Sequence, residues 1–208
     1  MAPFTRTIAL AVTGASGAPY ALRLLECLIG AQLHVYLMIS RPGQVVMDME
    51  TDLHLPGRPR EIARLLTDRF GARPGQLEVF GREEWTAPVA SGSAVPDAMV
   101  ICPCTTGTLS AVACGASRSL LERAADVVLK ERRKLVLVVR ETPFSEIHLE
   151  HMLRLSRMGA VILPPNPGFY HRPRSVDDLV DFVVARVLDQ LGVEQELIPR
   201  WGEGAQER

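Results

Sequence analysis

Glycines and hydroxyl side chains cluster in short segments that directly follow apolar runs. These residues are Gly14 and Ser16, then Ser40, and then Thr105, Thr106, Gly107 and Thr108. Free N–H groups and the helix dipole at a helix N-terminus attract phosphate, so the pattern favours a phosphate-bearing ligand. The dinucleotide signature and the P-loop are both absent, which favours a mononucleotide such as FMN over NAD or ATP. A tight turn without a ligand would have the same composition, so both interpretations stay open.

A cation and an acid stand together at the end of another apolar run. Arg140 and Glu141 follow Leu135–Val139 and precede Thr142-Pro143. A guanidinium at the mouth of a buried sheet binds anions, and a carboxylate beside it transfers protons. The alternative is a local ion pair that closes the strand. We favour a functional role because the pair separates an apolar strand from a predicted capped helix.

Three more cations fall on predicted helices. Arg123 and Lys130 are seven residues apart on the helix after Ser117, so they share one face at a separation of about 10 Å. Lys130 is one of only two lysines, and a charge at the helix C-terminus is its ordinary explanation. Arg186 borders the apolar stripe of the last helix, where its stem would lie on apolar surface. The pattern alone indicates surface charges.

Metal binding has little support in the sequence. Cys102-Pro103-Cys104 has no second Cys or His pair at ligand spacing, which favours buried thiols. His148 and His151 share a helix face, but this spacing alone indicates packing or surface more often than zinc. Trp85 and Trp201 lie in polar loops, where a ligand or a subunit interface usually covers such large rings.

The chemistry requires a fold that brings the ends of the apolar runs together. One unit recurs, in which an apolar run leads through a turn into a helix pattern, and this predicts an α/β fold with a parallel sheet covered on both faces. The predicted strands are Thr7–Val12, Leu33–Ile39, Gln76–Phe80, Ala98–Cys102, Leu135–Val139 and Ala160–Leu163. Predicted helices lie near 18–29, 43–49, 59–71, 108–114, 144–158 and 176–191, and the predicted N-caps are Ser40, Thr142 and Ser175. Ligands of such sheets bind at the carboxyl ends of the strands, where the turns lie.

Composition and charge exclude several classes of protein. A chain of 208 residues is expected to form a single domain that spans residues 1–208. Its 47% hydrophobic and 23% charged residues exclude disorder, and its net charge of −1 gives no general attraction to nucleic acid. No apolar run reaches about 18 residues and no signal peptide is recognisable, so no membrane span is expected. Four cysteines favour a reduced, cytoplasmic protein.

Several segments together resemble the UbiX family of flavin prenyltransferases, in order from about Thr7 to Trp201. The matching segments are Thr13-Gly14-Ala15-Ser16-Gly17-Ala18, 102–110, 122–126, Lys130-Glu131-Arg132, Arg140-Glu141-Thr142-Pro143, Pro167-Gly168-Phe169-Tyr170 and Pro199-Arg200-Trp201. The resemblance implies a flavodoxin-like Rossmann fold, a three-layer sandwich with a mostly parallel sheet. It also implies a homo-oligomer, typically a dodecamer, with FMN between subunits and the tail 192–208 on a neighbouring subunit.

The resemblance implies a reaction and a partner. These enzymes transfer dimethylallyl from dimethylallyl monophosphate to reduced FMN, with bonds to nitrogen five and carbon six of the flavin. The product, prenylated FMN, serves UbiD-type decarboxylases, including those of ubiquinone biosynthesis. The reaction needs no metal, and no nucleic acid or membrane is expected as a partner.

The resemblance also assigns roles to residues of this chain. FMN would be bound by Gly14, Ala15, Ser16, Ser40, Thr105, Thr106, Gly107, Thr108 and Arg140. The substrate would be bound by Trp85, Arg123, Lys130, Arg140, Tyr170 and Arg186, with Trp85 as a wall of the prenyl pocket. Proton transfer would use Glu141, Ser16 and Glu50. Thr105 stands where serine is common in the family, and the hydroxyl is retained.

Two other functions stay open at this stage. An FMN-dependent cysteine decarboxylase shares the fold, but it normally has a Pro-Ala-x-Ala-Asn-Thr stretch where Pro103-Cys104-Thr105-Thr106-Gly107 stands here. A non-catalytic flavin carrier is the other candidate. Lys130, Tyr170 and Arg186 argue against a carrier, because FMN alone does not need them.

Overall fold

The central sheet contains six parallel strands in a computed structural model that describes residues 4–199. The strands are β1 (Thr7–Val12), β2 (His34–Ile39), β3 (Leu77–Phe80), β4 (Ala98–Cys104), β5 (Lys134–Val139) and β6 (Val161–Ile162). Their order across the sheet is β3-β2-β1-β4-β5-β6. This is the strand order of doubly wound nucleotide-binding folds. In these folds the order in which strands are added across the sheet reverses between the first and fourth strands.

Helices cover both faces of the sheet and make three layers, as the sequence predicts. They are α1 (Ala18–Gly30), α2 (Arg41–Glu50), α3 (Pro59–Phe70), α4 (Thr106–Ala113), α5 (Leu120–Lys130), α6 (Glu146–Arg157) and α7 (Val176–Leu191). Alternate residues of β1 point to opposite faces. Ile8 and Leu10 pack with α1, α3 and α7, whereas Ala9 and Ala11 pack with α4, α5 and α6. The buried strands are apolar on both faces for this reason.

The helix starts follow the predicted capping pattern with one correction. The Ser40 and Ser175 side chains cap α2 and α7. The cap of α6 is Ser145, and the prediction of Thr142 was wrong. The Ser145 hydroxyl accepts the His148 N–H at 3.4 Å, and the His148 ring accepts the Ser145 N–H at 3.1 Å. This reciprocal pair satisfies two N–H groups at once, which Thr142 does not do.

The fourth strand is longer than the sequence predicts. It continues through Pro103 to Cys104, with an irregular register against β5 between Ile101 and Cys104. A proline is tolerated inside a strand at such an irregularity because the ladder hydrogen bond is already interrupted there. The extension carries the strand to Cys104, directly before Thr105, which is the N-cap of α4.

No helix within residues 4–199 is both long and apolar enough to cross a membrane. Arg200 and Trp201, two of the three residues of the matching segment Pro199-Arg200-Trp201, lie outside the described residues.

Candidate active site

A buried threonine joins the turns that follow β1 and β4. Thr13 is only 2% exposed. Its hydroxyl donates to the Pro103 carbonyl oxygen at 2.8 Å and accepts the Thr105 N–H at 2.8 Å. The Thr13 N–H donates to the same carbonyl at 3.2 Å. The loops on the two sides of the strand-order change are therefore fixed relative to each other.

A cavity of about 310 Å³ opens beside this junction. Its wall comes from the carboxyl ends of the first strands and from the starts of α2, α4 and α5. Four of the residues predicted to bind a cofactor line it, namely Gly14, Ser40, Thr105 and Thr108. The volume falls at the lower end of the range of about 300–1,000 Å³ for small-molecule sites. The sequence thus predicted correctly that a cavity lies at this edge of the sheet.

Gly14 lets α2 lie close to the turn after β1. A Cβ atom on Gly14 would collide with the Pro42 ring and lie 3.2 Å from the Pro42 carbonyl carbon. Ser40 precedes this proline, and its hydroxyl accepts the Gly43 N–H at 3.1 Å. The small residue at position 14 therefore sets the width of the cavity on this side.

The N-terminus of α4 supplies donors for an anion. Thr105 caps the helix, because its hydroxyl accepts the Thr108 N–H at 3.1 Å, and the same hydroxyl donates to the Thr108 hydroxyl at 2.9 Å. The helical bond from the Leu109 N–H to the Thr105 carbonyl is 2.9 Å long. The N–H groups of Thr106 and Gly107 precede that bond, so they remain for a ligand. Together with the helix dipole, they make this turn suitable for phosphate.

The N-terminus of α1 is already occupied by a carboxylate. Glu50, at the end of α2, accepts the N–H groups of Gly17 and Ala18, each at 2.8 Å. Burial opposes the ionisation of Glu50, but hydrogen bonds from the Ser16 hydroxyl and these N–H groups outweigh it and hold its pKa below the ordinary value. The nearby Arg140 charge lowers that pKa further. Glu50 is therefore an anion that orients Ser16.

Arg140 and Glu141 lie directly after β5, next to the end of β4. The Arg140 N–H donates to the Cys104 carbonyl oxygen at 3.1 Å, and a Glu141 carboxylate oxygen accepts the Thr142 N–H at 3.0 Å. No ion pair joins Arg140 to Glu141 among the residues described, so the interpretation as a strand-closing ion pair was wrong. Arg140 is exposed at the mouth of the sheet. Its positive charge lowers the pKa of Glu50 and opposes the rise in the pKa of Tyr20.

Tyr20, which the sequence analysis did not single out, lies near Arg140 and Cys102. Burial raises the pKa of the Tyr20 hydroxyl, Cys102 adds to the rise, and Arg140 opposes it. Thr13 and Pro42 were missed in the same way. Thr13 had a usable signal, since a hydroxyl that directly follows a buried strand needs a partner. Tyr20 and Pro42 had none, because their roles depend on contacts between separate turns.

Two predicted substrate residues lie together in a different place. Tyr170 and Arg186 line a second cavity of about 600 Å³ with Phe182 and Asp189. The Tyr170 ring packs edge-on against Phe182 at 5.7 Å between ring centroids. The Arg186 guanidinium pairs with the Asp189 carboxylate at 2.7 Å. Neither Tyr170 nor Arg186 lines the cavity beside Thr13.

The other two predicted substrate cations lie along α5, on the face that the spacing predicts. Arg123 donates to the Ala90 carbonyl oxygen at 3.1 Å and pairs with Asp126 at 2.7 Å. Lys130 pairs with Glu131 and lies beside Gly92. Both cations therefore border the two short 3₁₀ turns of residues 88–94. Trp85, in the loop before those turns, is 47% exposed.

The two cysteines that flank Pro103 are buried thiols, as expected. Cys102 and Cys104 are buried, and burial raises the pKa of both thiols, that of Cys104 to about 12. They stay protonated at neutral pH and are poor metal ligands in that state. Within residues 4–199, no group of three or more His, Cys, Asp or Glu side chains is placed to hold a metal.

Comparison with known proteins identifies a matching family and similar relatives. A family model described as Flavoprotein matches residues 4–188. The flavin prenyltransferase UbiX of Pseudomonas aeruginosa is 63% identical over 196 residues, which cover 94% of this chain and 94% of that protein.

Solved structures agree with the sequence relatives. AnUbiX in complex with FMN and dimethylallyl pyrophosphate matches with a TM-score of 0.84 at 41% identity, over 94% of this chain and 97% of that chain. A dodecameric FMN-dependent UbiX-like decarboxylase from Escherichia coli O157:H7 matches with a TM-score of 0.83 at 41% identity, over 94% of this chain and 98% of that one.

Proposed function

The chain belongs to the UbiX family of flavin prenyltransferases, and we propose that it joins a dimethylallyl group to reduced FMN. The C–O bond of dimethylallyl monophosphate breaks and phosphate leaves as the allylic carbon bonds to nitrogen five, which loses its proton. The prenyl double bond then takes up one proton, and its tertiary carbon bonds to carbon six, which loses its proton in turn. The observation that carries the proposal is the cavity lined by Gly14, Ser40, Thr105 and Thr108, in a chain 63% identical to a flavin prenyltransferase.

The residues around the cavity fit FMN. The first turn of α4 offers N–H groups and hydroxyls for the phosphate, and Met38, Phe80 and Leu120 offer apolar surface for a ring. The lack of a side chain at Gly14 lets Pro42 lie against this turn, because a Cβ atom there would collide with Pro42. The residues proposed to hold FMN are Gly14, Ala15, Ser16, Ser40, Thr105, Thr106, Gly107, Thr108 and Arg140.

We assign the substrate phosphate to Arg123, Lys130, Arg140, Tyr170 and Arg186. A phosphomonoester carries a charge of roughly −1.5 to −2 near neutral pH, and several cations are needed to balance it. Negative charge grows on the bridging oxygen as the allylic bond breaks, so the same cations stabilise the transition state more than the bound substrate. In this assignment the guanidinium of Arg140 contacts both the FMN phosphate and the substrate phosphate.

Positive charge grows on the prenyl group during the same step. An aromatic face stabilises a desolvated cation by about 2 kcal/mol. Trp85 is the proposed wall, because it stays 47% exposed in the loop that precedes the 3₁₀ turns bordered by Arg123 and Lys130. A partner surface or the prenyl group would cover that ring.

Two protons must leave the flavin, one from nitrogen five and one from carbon six. Glu141 is the proposed base, because its carboxylate is solvent-accessible at the mouth of the sheet beside Arg140. Glu50 and Ser16 support proton transfer in a different way. The ionised Glu50 accepts the Ser16 hydroxyl hydrogen and so fixes the orientation of that hydroxyl.

We propose that copies of the chain complete the site together. In one chain, Lys130 and Arg123 lie along α5, whereas Tyr170 and Arg186 line a separate cavity. A relative at 41% identity is dodecameric, and this supports a dodecamer here, with residues 192–208 on a neighbouring subunit. The product would pass to a UbiD-type decarboxylase in the cytoplasm.

The test is a direct assay under anoxic conditions. The protein is incubated with reduced FMN and dimethylallyl monophosphate, and the flavin is identified by mass spectrometry. A prenylated flavin is expected, with none formed when either substrate is omitted. Unchanged FMN on a protein that binds both ligands would overturn the proposal, and tight FMN binding without affinity for the phosphate would indicate a carrier instead.

A further inference from the structure

The outer face of α6 is apolar at its centre and charged at its ends. Leu149 is 54% exposed and Leu153 is 52% exposed, although both lie within a helix of a folded domain. These leucines are one helical turn apart and share a face. Their exposure leaves a continuous apolar strip without a covering element in one chain.

The charges beside this strip are segregated by sign. Glu146 and Glu150 occupy the first half of α6, and Arg154 and Arg157 occupy the second half. All four side chains are exposed. Within residues 4–199, none of the four takes part in an ion pair, even though Glu150 and Arg154 are four residues apart.

We propose that α6 pairs antiparallel with α6 of a second copy of this chain across a two-fold axis. A two-fold axis reverses the helix direction, so the acidic half of one copy meets the basic half of the other. Leu149 then packs against Leu153 of the second copy, and Glu146 lies opposite Arg157 of that copy. The same surface serves both partners. The pairing covers the apolar strip and places each of the four charges opposite a charge of the other sign.

The surface favours a second copy over another partner. Its charge pattern is its own complement under a two-fold rotation, which a surface for an unrelated protein need not be. Glu146 and Arg157 are separated by eleven residues, or about 16 Å along the helix, so the paired surface is one helix long. One helix pair buries less than a standard interface of about 1,200–2,000 Å², so it acts beside other contacts in a larger assembly.

Acids in the first turn and arginines in the last turn also suit the helix dipole, and the experiment must separate the two effects. Two variants give all four of these positions on α6 the same sign of charge. One carries Glu146→Arg with Glu150→Arg, and the other carries Arg154→Glu with Arg157→Glu. Each variant repels itself across the two-fold axis, whereas the two variants attract each other.

The assembly mass of each full-length variant is measured by native mass spectrometry and sedimentation, alone and after co-expression of both with different tags. We expect each variant alone to form a smaller assembly than the wild type, and co-expression to restore the wild-type mass. A wild-type mass for either variant alone, or no restoration on co-expression, would overturn the pairing.

Two controls keep the result specific. Arg64→Glu reverses a charge on the exposed side of α3, and it should leave the mass unchanged. Leu153→Asp should lower the mass without any change in the arginines. If Leu153→Asp folds, as judged by circular dichroism, and keeps the wild-type mass, the apolar strip is not an interface and the proposal fails.

Discussion

The carboxylate of Glu141 is the residue on which the proposed proton transfer depends most. Glu141→Gln keeps the shape and the acceptor for the Thr142 N–H, but it removes the base. We expect FMN affinity to stay within a factor of a few and turnover to fall by about 10²–10⁴-fold. Turnover is measured by the anoxic mass assay and FMN binding by fluorescence. Asp68→Asn, an exposed acid on α3, is the matched control.

Full turnover in Glu141→Gln would remove this residue from the chemistry. A loss of FMN binding together with turnover would instead assign Glu141 to the binding of the flavin. The two results are distinguishable because binding and turnover are measured separately.

Glu50 links the stability of the protein to pH. Its pKa is lowered in the folded protein from the ordinary value of 4.5, so the unfolded chain binds the proton more tightly. The stabilisation is therefore fully present above about pH 4.5 and is lost as the pH falls through the lower folded value. As a carboxylate at the N-terminus of α1, it is worth about 0.5 kcal/mol.

Urea unfolding of Glu50→Gln at several pH values tests this linkage. At pH 7, we expect the variant to be less stable than the wild type, and the difference should shrink below pH 4. Glu83→Gln, a substitution of an exposed acid in the loop before Trp85, should show no such convergence. A pH-independent difference for Glu50→Gln would mean that the amide disturbs packing and that ionisation is not the cause.

At the scale of elements, the approach of α2 to the first turn depends on Gly14. A Cβ atom there would collide with Pro42, so Gly14→Ala must push α2 away from β1. Overpacking of this kind costs about 1–3 kcal/mol. We expect FMN affinity to fall at least about tenfold, since one wall of the cavity moves by a fraction of an ångström or more. Fluorescence titration with FMN measures the affinity.

Gly57→Ala is the control for the loss of a glycine. A Cβ atom on Gly57 meets nothing within 4 Å, so this variant should keep both stability and FMN affinity. If Gly14→Ala binds FMN as tightly as Gly57→Ala does, the close approach of α2 does not shape the flavin site.

The junction of β1 and β4 depends on the Thr13 hydroxyl. Thr13→Val keeps the shape of the side chain but leaves the Thr105 N–H without its acceptor. A buried unpaired group costs about 1–3 kcal/mol, which urea unfolding resolves. Because Thr105 caps α4, we also expect weaker FMN binding. Thr13→Ser retains the hydroxyl and should recover most of both losses, and equal behaviour of the two variants would contradict the role of the hydroxyl.

The sequence predicts the elements well because their signals are local. The strands of this sheet are mostly apolar runs, and the first four are each followed directly by glycine, serine or threonine. The errors have local causes too. Ser145 competes with Thr142 as a cap, and only the reciprocal bond with His148 decides between them. The extension of β4 through Pro103 needs an irregular register against β5, which one strand's sequence does not encode.

At the scale of the whole molecule, the cavity edge was predictable but the grouping of the cations was not. The carboxyl ends of parallel strands meet at one edge, so the turns with Gly14, Ser40 and Thr105 converge as expected. Lys130 and Arg186 lie far apart in sequence and in different parts of one chain. Spacing along a helix indicates only a shared face, and it carries no information about a second copy.

A mixing experiment tests whether neighbouring subunits share one phosphate site. Lys130→Ala and Arg186→Ala should each lower turnover by about 10²-fold, since each removes one cation from the leaving phosphate. In oligomers of both variants, a site that takes Lys130 from one subunit and Arg186 from another has both cations intact in about a quarter of cases under random assembly.

Co-expression of the two variants with different tags should therefore restore about a quarter of the wild-type turnover per site. Lys130→Ala co-expressed with Arg123→Ala is the matched control, because both residues lie on α5 of the same chain and border the same 3₁₀ turns. If those two residues act together from one subunit, no site in that mixture has both, and turnover stays low. The absence of recovery with Arg186→Ala would mean that one chain supplies the whole phosphate site, and the separation of its cations in the folded chain would then have to close by a conformational change.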